Sequence, residues 1–129
     1  MKLLIAALLA VFSTGAMAEW TYLTSPEDNA YDVYIDKTTI RKRGNVAKMW
    51  ELTDFKAPQK AAGGSFLSSK SLKEYDCVEI RLRLLTLTSF SDNMGSGQVI
   101  FNYQYDDKDW RDIEPGSIGV THWKAACKK

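Results

Sequence analysis

Apolar residues recur at every second position along much of the chain after residue 18, which is the period of a β-strand with one buried face. Residues 31–36 show this period clearly, with Tyr31, Val33 and Ile35 on one side. Further strands are predicted at 20–24, 46–55 and 98–105. The pattern therefore predicts a mostly antiparallel β domain.

The longest alternation covers residues 71–90 and predicts one long strand. Ile80 and Leu82 share one parity, but beyond Leu84 the apolar residues continue from Leu85 on the other parity. A change of phase by one residue is what a β-bulge produces. We therefore expect a bent strand with a bulge at this point.

Turn-forming residues separate the predicted strands. Gly44 and Asn45 favour a tight turn within residues 41–45, because both tolerate positive φ angles. Residues 56–70 contain a proline, two glycines and three serines, and we expect a long loop without regular structure. A loop of this length in a small domain is usually functional or mobile. Further turns are predicted at 25–29 and 91–97.

The only helix is predicted in the last part of the chain. Ser117 is a candidate N-cap, and Lys124 lies near the other end, where a cation suits the helix dipole. One side of this helix would carry Ile118, Trp123, Ala126 and Cys127. The predicted fold class is α+β, mostly an antiparallel β-sheet of about six strands with one C-terminal helix.

The first 18 residues have the order of a secretory signal peptide. Lys2 precedes an apolar run from Leu3 to Phe12, and residues 16–18 form an A-x-A cleavage signal before Glu19. The apolar run is too short to span a bilayer, which takes about 20 residues. We expect residues 1–18 to be removed and residues 19–129 to form a single domain.

Compartment and charge limit the range of partners. No cysteine follows Ala18 to carry a lipid, so we expect a soluble periplasmic protein, with secretion or the cell surface as alternatives. The chain has 17 basic and 16 acidic residues, and loss of Lys2 leaves the domain formally neutral. Such a domain lacks the basic field that nucleic-acid binding needs. We expect no nucleic-acid partner, no membrane span, a monomer or homodimer, and a protein partner of unknown identity.

Two cysteines, Cys77 and Cys127, occur in the chain. In an exported protein an even number of cysteines favours a disulfide. A redox pair would need a C-x-x-C motif, which is absent, and a structural zinc site needs four ligands, although only His122 could join the cysteines as a soft ligand. Zinc and free or intermolecular thiols are the alternatives to the disulfide.

The sequence contains no catalytic constellation. A Ser-His-Asp or Cys-His arrangement would have to use His122, the only histidine, and no G-x-S-x-G motif occurs. We expect His122 to be a surface residue of the terminal helix. Residues 106–109 resemble the start of a calcium loop, but Asp112 stands where that loop needs glycine. We therefore expect no enzyme activity, no metal and no cofactor.

Arg41, Lys42 and Arg43 form a basic cluster at a predicted turn. Such a cluster is most often a solvated hairpin tip. The alternative is contact with an anionic partner such as heparan sulfate, a phosphate head group or an acidic protein surface.

Aromatic residues are spread over the whole chain. Most of the four tryptophans are expected in the core. A cluster of aromatic residues left exposed would mark a binding face, because apolar area is rarely left uncovered without a use.

Several short motifs are distributed over nearly the whole mature domain. They are Trp20, the 31–36 strand with Thr38-Thr39-Ile40, the 46–55 strand around Trp50, Ser69-Lys70 before Tyr75-Asp76-Cys77, residues 90–97, and Trp110 through Pro115-Gly116-Ser117 to Cys127. Together they resemble the surface-adhesin protein E family of exported bacterial domains.

The resemblance implies an antiparallel sheet with the C-terminal helix packed on it and a Cys77–Cys127 bridge. It also implies an adhesin-like binding role, since the best-known member is a surface lipoprotein that attaches to host extracellular-matrix proteins and haem. This chain departs from that member in having Ala18-Glu19 instead of a lipidated cysteine, which weakens the adhesin interpretation. The alternative function is a soluble periplasmic protein of envelope maintenance, such as a hydrolase inhibitor.

Overall fold

Eight strands form one antiparallel sheet, and one helix packs on a face of that sheet, in the part of the chain that the structure describes. The structure is a computed structural model and describes residues 18–106 and 109–128. Its strands are β1 (Thr21–Thr24), β2 (Tyr31–Ile35), β3 (Arg41–Arg43), β4 (Val46–Ala61), β5 (Gly64–Asp76), β6 (Arg81–Phe90), β7 (Val99–Gln104) and β8 (Arg111–Asp112), and its helix is α1 (Ile118–Cys127).

The sheet has the order β1-β2-β4-β5-β6-β7. The short strand β3 pairs with the start of β4, and β8 pairs with the start of β6. Two short 3-10 helices, Lys37–Thr39 and Asn93–Gly95, connect strands. The predicted fold class is therefore confirmed, with six strands along the main path of the sheet and two short additions. The predicted signal peptide lies outside the described residues, apart from Ala18.

The prediction of a loop at residues 56–70 was wrong, because this segment belongs to a long hairpin. β4 continues to Ala61, and β5 begins at Gly64. Pro58 is tolerated because it lies where the pairing of β4 with β5 is interrupted by a shift of register. Gly63 in the turn lets β7 approach closely, since a Cβ there would lie 2.7 Å from a backbone oxygen of that strand.

The prediction of one strand over residues 71–90 was also wrong, because a turn divides it. β5 ends at Asp76, whose Oδ1 accepts hydrogen bonds from the backbone N–H groups of Val78 at 3.0 Å and Glu79 at 3.1 Å. This bonding pattern is typical of an Asx turn. The apolar alternation that suggested a strand therefore includes Val78 and Ile80, which are exposed on the turn.

The predicted bulge in the second half of this segment is confirmed. Leu72 pairs with Thr86, and the next residue, Lys73, pairs with Leu84, so Leu85 is the extra residue of β6. The predicted turn at residues 41–45 is narrower than expected, since Arg41–Arg43 form β3.

The core lies between α1 and one half of a sheet face. The buried residues that form it are Ile35, Ala47, Met49, Tyr75, Cys77, Ile113, Trp123, Ala126 and Cys127. The indole Nε1–H of Trp123 donates to the carbonyl oxygen of Asp76 at 2.7 Å, which satisfies the ring's only polar group. Ser117 caps the helix by position, although its hydroxyl bonds to the carbonyl of Glu114 instead of a helix N–H.

A disulfide between Cys77 and Cys127 joins the end of the helix to the turn after β5. Cys77 lies before β6 begins at Arg81. Although an even number of positions separates it from Arg81 and Arg83, its side chain therefore need not lie on the same face of the sheet as theirs. The bridge closes a loop with a sequence separation of 50 residues.

We expect replacement of both cysteines by serine to lower the free energy of unfolding by about 4 kcal/mol, the value that chain entropy gives for a loop of this length. Urea denaturation of the two proteins measures the difference. Reductant should bring the unsubstituted protein to the same midpoint and leave the double variant unchanged. A midpoint that reductant does not move would contradict a stabilising bridge.

Candidate binding surface

Helix α1 covers only one half of the sheet face on which it packs. Along β4 this face carries Ala47 and Met49 beneath the helix, followed by Glu51, Thr53 and Phe55. Thr53 and Phe55 line an open groove instead of the core. We call this uncovered part the open half of the sheet face.

A row of aromatic rings crosses the open half from β2 to the end of β7. Successive ring centroids lie 5.8, 5.7, 5.5, 5.3 and 6.3 Å apart, within the range of favourable aromatic pairs. Tyr103 is 55% exposed and Tyr105 is 39% exposed, and the others are half-buried. The members of this aromatic row are Tyr31, Phe55, Phe66, Phe101, Tyr103 and Tyr105.

A groove of about 360 Å³ runs beside the aromatic row. Phe55, Phe66 and Phe101 contribute aromatic surface to it, and Leu84 and Leu87 contribute aliphatic surface. Its polar lining consists of Thr53, Ser69, Ser71, Ser89 and Lys73. The hydroxyls of Ser69 and Ser89 are 2.7 Å apart and hydrogen-bond to each other. All three serines are buried, so the partly exposed polar side chains of the groove are Thr53 and Lys73. The groove thus offers rings for stacking, a threonine and one lysine, whose ammonium also lies 3.5 Å from Glu51.

A buried polar cluster lies between the groove and the helix. The Glu51 side chain, which belongs to a residue only 1% exposed, accepts a hydrogen bond from the Tyr75 hydroxyl at 2.6 Å. Its other carboxylate oxygen contacts Nδ1 of His122 on α1 and lies 3.5 Å from the Lys73 ammonium. The cluster therefore ties the helix to β4 and β5 by charge-assisted hydrogen bonds.

The neighbours of Glu51 keep it ionised in spite of its burial. Burial acts to raise the pKa of the Glu51 carboxyl, but the Lys73 charge and the hydrogen bonds from His122 and Tyr75 outweigh burial and lower that pKa. Burial, together with the negative charge of Glu51, raises the pKa of the Tyr75 hydroxyl well above its ordinary value. Tyr75 therefore stays a neutral donor.

The expectation that His122 is a surface residue was wrong. His122 is 7% exposed, and its Nε2 is buried with no hydrogen-bond partner among the described residues. The histidine was misplaced because its partner, Glu51, lies 71 positions away in sequence, and no local pattern links the two. Glu51, Tyr75 and His122 are all buried, so their side chains are placed to hold the helix on the sheet and are not accessible to a substrate.

The prediction that most tryptophans are in the core was wrong as well. Trp123 is buried, but Trp20, Trp50 and Trp110 are half-buried and each meets a cation. The Lys70 ammonium lies 5.9 Å from the Trp20 ring and 5.8 Å from the Trp50 ring. The Trp110 ring lies 4.2 Å from the Arg83 guanidinium and 5.4 Å from that of Arg81. Cation–π contacts of this kind compensate part of the exposure of the rings.

The predicted basic cluster is exposed on β3, and its side chains divide between the helix and a cleft. Lys42 approaches the carbonyl of Cys127 on the helix at 3.5 Å. Arg41 and Arg43 instead line a cleft of about 470 Å³. The other residues that line the cleft are Val46, Lys48, Glu74 and Arg83. The positive side chains outnumber the one carboxylate, so the cleft has a net positive charge.

The described residues also bear on two other features, a metal-binding site and a membrane-spanning helix. Within residues 18–106 and 109–128, no three His, Cys, Asp or Glu side chains come together in a way that could hold a metal ion. Among the helices in the same part of the chain, none has the length and apolar character needed to cross a membrane.

The fold and the groove define a small disulfide-bridged domain with one antiparallel sheet, a covering helix and an open aromatic surface. The family described as Surface-adhesin protein E matches residues 20–128, and the chain therefore belongs to that family. The predicted resemblance is confirmed. Membership indicates a surface or exported protein and supports an adhesin-like binding role. No curated protein matches the chain.

Solved structures of Haemophilus influenzae protein E share the fold. Crystal form II has 11% sequence identity and a TM-score of 0.59, and the match covers 88% of this chain and 94% of that one. The selenomethionine form has 12% identity and a TM-score of 0.58, with 83% and 85% covered. Protein E from the non-typeable organism has 12% identity and a TM-score of 0.53, with 87% and 86% covered. At this identity the likeness concerns the fold alone.

We expect Glu51→Gln to lower the free energy of unfolding at pH 7 by about 3 kcal/mol, because the groups buried around Glu51 would lose the negative charge that they contact. Since the folded pKa of Glu51 lies below its ordinary value of 4.5, its contribution is complete above about pH 4.5 and is lost as the pH falls through the folded value.

The variant should therefore lose less stability between pH 5 and pH 3 than the unsubstituted protein. Urea denaturation at both pH values measures this, with the exposed Glu79→Gln as the matched control. Equal acid sensitivity of Glu51→Gln and Glu79→Gln would contradict the assignment.

Proposed function

We propose that this protein is an exported, non-catalytic binding domain of adhesin-like character that contacts its partner through the open half of the sheet face. The observation that supports this most strongly is the aromatic row, which stays uncovered in a domain that has a helix available to cover it. Aromatic side chains presented on a rigid sheet lose little conformational entropy on binding and are frequent hot spots.

The chemistry of the groove supports a partner with apolar or planar groups flanked by polar ones. Phe55, Phe66 and Phe101 offer stacking surfaces, while the partly exposed side chains of Thr53 and Lys73 offer polar contacts. A host matrix protein fits this description through an inserted aromatic or aliphatic side chain. Haem, a flat apolar ring system with carboxylates, is the alternative ligand, and both are proposed by family membership.

We propose that the predicted signal peptide at residues 1–18 exports the protein to the periplasm. Contact with a host matrix protein further requires secretion or display on the cell surface. Ala18-Glu19 provides no cysteine for a lipid, so display on the surface would need another means of attachment. Protease treatment of intact cells distinguishes the two locations. Cleavage of the protein on intact cells would support adhesion, and full protection would favour the alternative of a periplasmic envelope-maintenance or inhibitor protein.

We expect Phe66→Ala and Tyr103→Ala each to weaken binding by about tenfold or more, since each removes a ring from the aromatic row. The measurement is surface plasmon resonance of the domain over immobilised extracellular-matrix protein and, separately, a haemin titration followed by absorbance.

The matched control is Asn102→Ala with Gln104→Ala, which alters exposed residues of the same strand at the alternate positions to Phe101 and Tyr103. The control should bind like the unsubstituted protein. Unchanged affinity of both ring variants, at an unchanged melting temperature, would contradict the proposed surface.

The basic cluster at Arg41, Lys42 and Arg43 is proposed as a secondary contact for an anionic partner. The net positive cleft beside β3 supports this part of the proposal. We expect the double variant Arg41→Ala, Arg43→Ala to elute from a heparin column at lower salt than the unsubstituted domain, because two fewer cations can contact the sulfate groups of heparin. The control is Lys56→Ala with Lys60→Ala, which removes equal charge from the distant hairpin. Equal elution of the two double variants would contradict a specific cleft.

A further inference from the structure

A buried carboxylate faces the start of the mature domain. Asp36 follows β2 and is only 4% exposed. Its Oδ2 accepts a hydrogen bond from the backbone N–H of Glu19 at 3.1 Å. Its Oδ1 accepts from the backbone N–H of Thr38 at 3.0 Å and from the Thr38 hydroxyl at 2.5 Å. The Asp36 carboxylate thus uses one oxygen for its own turn and the other for Glu19.

The nitrogen of Glu19 is the atom that cleavage after Ala18 would convert into the amino terminus. Before cleavage it is a peptide N–H with one hydrogen to donate. Hydrolysis of the Ala18–Glu19 bond adds water across it, leaves a carboxylate on Ala18, and turns the Glu19 nitrogen into an ammonium group with three hydrogens and a positive charge. The hydrogen bond from the peptide N–H to the Asp36 carboxylate is already charge-assisted, and cleavage would add the attraction between an ammonium group and that carboxylate.

We propose that Asp36 is the binding site for the amino terminus created by signal cleavage, so that processing itself forms an ion pair that fastens the first strand to the sheet. The inference rests on the exported role proposed above, but not on the aromatic row or on any ligand.

The neighbourhood of Asp36 supports a fixed position for this terminus. A pocket of about 240 Å³ is lined there by Ala18, Trp20, Asp36, Thr38, Thr39, Trp50 and Lys70. Trp20, the residue after Glu19, is held by the Lys70 ammonium 5.9 Å from its ring. β1 follows directly as an edge strand, paired with β2, and Leu23 on it packs against the core. An anchor at Glu19 therefore holds the free end of an edge strand.

The ion pair should give a pH dependence of defined sign. The ordinary pKa of an α-amino group is about 7.7–8.0, and a nearby carboxylate raises it in the folded state. The stabilisation is then complete below about pH 7.7 and is lost as the pH rises through the folded value. The titratable groups that face the amino group are Asp36, Lys70 and the side chain of Glu19 itself.

The test compares four proteins in a two-by-two design. One begins at Glu19 and one carries Gly-Ser before Glu19, and each is made with and without Asp36→Asn. The extension keeps the peptide N–H of Glu19 but moves the charge away. At pH 6.5 we expect the extension to lower the melting temperature by about 2–4 °C when Asp36 is present, and by less than about 1 °C with Asp36→Asn. The first difference should disappear by pH 9.5.

A second measurement uses no substitution at Asp36. The α-amino group of the protein that begins at Glu19 is labelled by ¹³C reductive methylation, and its titration is followed by NMR in the folded state and in 8 M urea. We expect a folded midpoint about half a pH unit above the unfolded one, which corresponds to the expected change in melting temperature.

Equal midpoints in the two states, or an equal effect of the extension with and without Asp36→Asn, would overturn the proposal. So would mass spectrometry showing that the exported protein does not begin at Glu19. These results would leave the ligand-binding experiments untouched, and a loss of ligand binding in the ring variants would not affect the amino-terminal titration. The two proposals can therefore fail separately.

Discussion

The fastening of α1 over one half of a sheet face is the constraint on which the rest of this structure depends. The helix has only three turns, and its sequence includes Gly119, Val120 and Thr121, which are poor helix formers. Its position is fixed by the Cys77–Cys127 bridge at its end and by His122, which reaches Glu51 in the centre of the sheet. Because these attachments hold the helix at one end of the sheet, the other end stays open.

The open half of the sheet face has features that suit a binding surface. Rings in the aromatic row support one another at contact distance, so they stay ordered without a covering layer. The small side chains of Ser69, Ser71 and Ser89 leave room beside them for an incoming group. On the opposite side of the molecule, half-buried tryptophans are paired with cations, which reduces their tendency to associate with other apolar surfaces.

The sequence pattern predicted the fold class and several local details, and its failures have physical causes. Alternation located β2 and the bulge at Leu85, and the candidate N-cap Ser117 located the start of the C-terminal helix, because each of these has a local signature in the sequence. The long β4–β5 hairpin was missed because its serines and glycines resemble a loop. In the sheet, Ser69 is a small residue that lines the groove, and Gly63 permits the close approach of β7.

The candidate site was harder to predict than the fold. The strand at residues 98–105, which carries Phe101, Tyr103 and Tyr105, was predicted from sequence. The continuation of the aromatic row through Phe66 and Phe55 depends on a hairpin that composition concealed. The buried role of His122 depends on a partner 71 residues away. Such pairings arise from the register of the whole sheet, which no window of sequence contains. The chain's membership in the Surface-adhesin protein E family nevertheless supports an adhesin-like binding role for the protein.

Chemical-shift mapping tests the central claim, that partners bind the open half, most directly. The ¹⁵N-labelled domain would be titrated with a fragment of a bound matrix protein, or with haemin, and the amide shifts followed residue by residue. The account predicts the largest changes along β4, β5 and β7 around Phe55, Phe66 and Phe101. Changes confined to β3 and the cleft beside Arg41 and Arg43, or to the Trp20 and Trp50 side of the sheet, would contradict it.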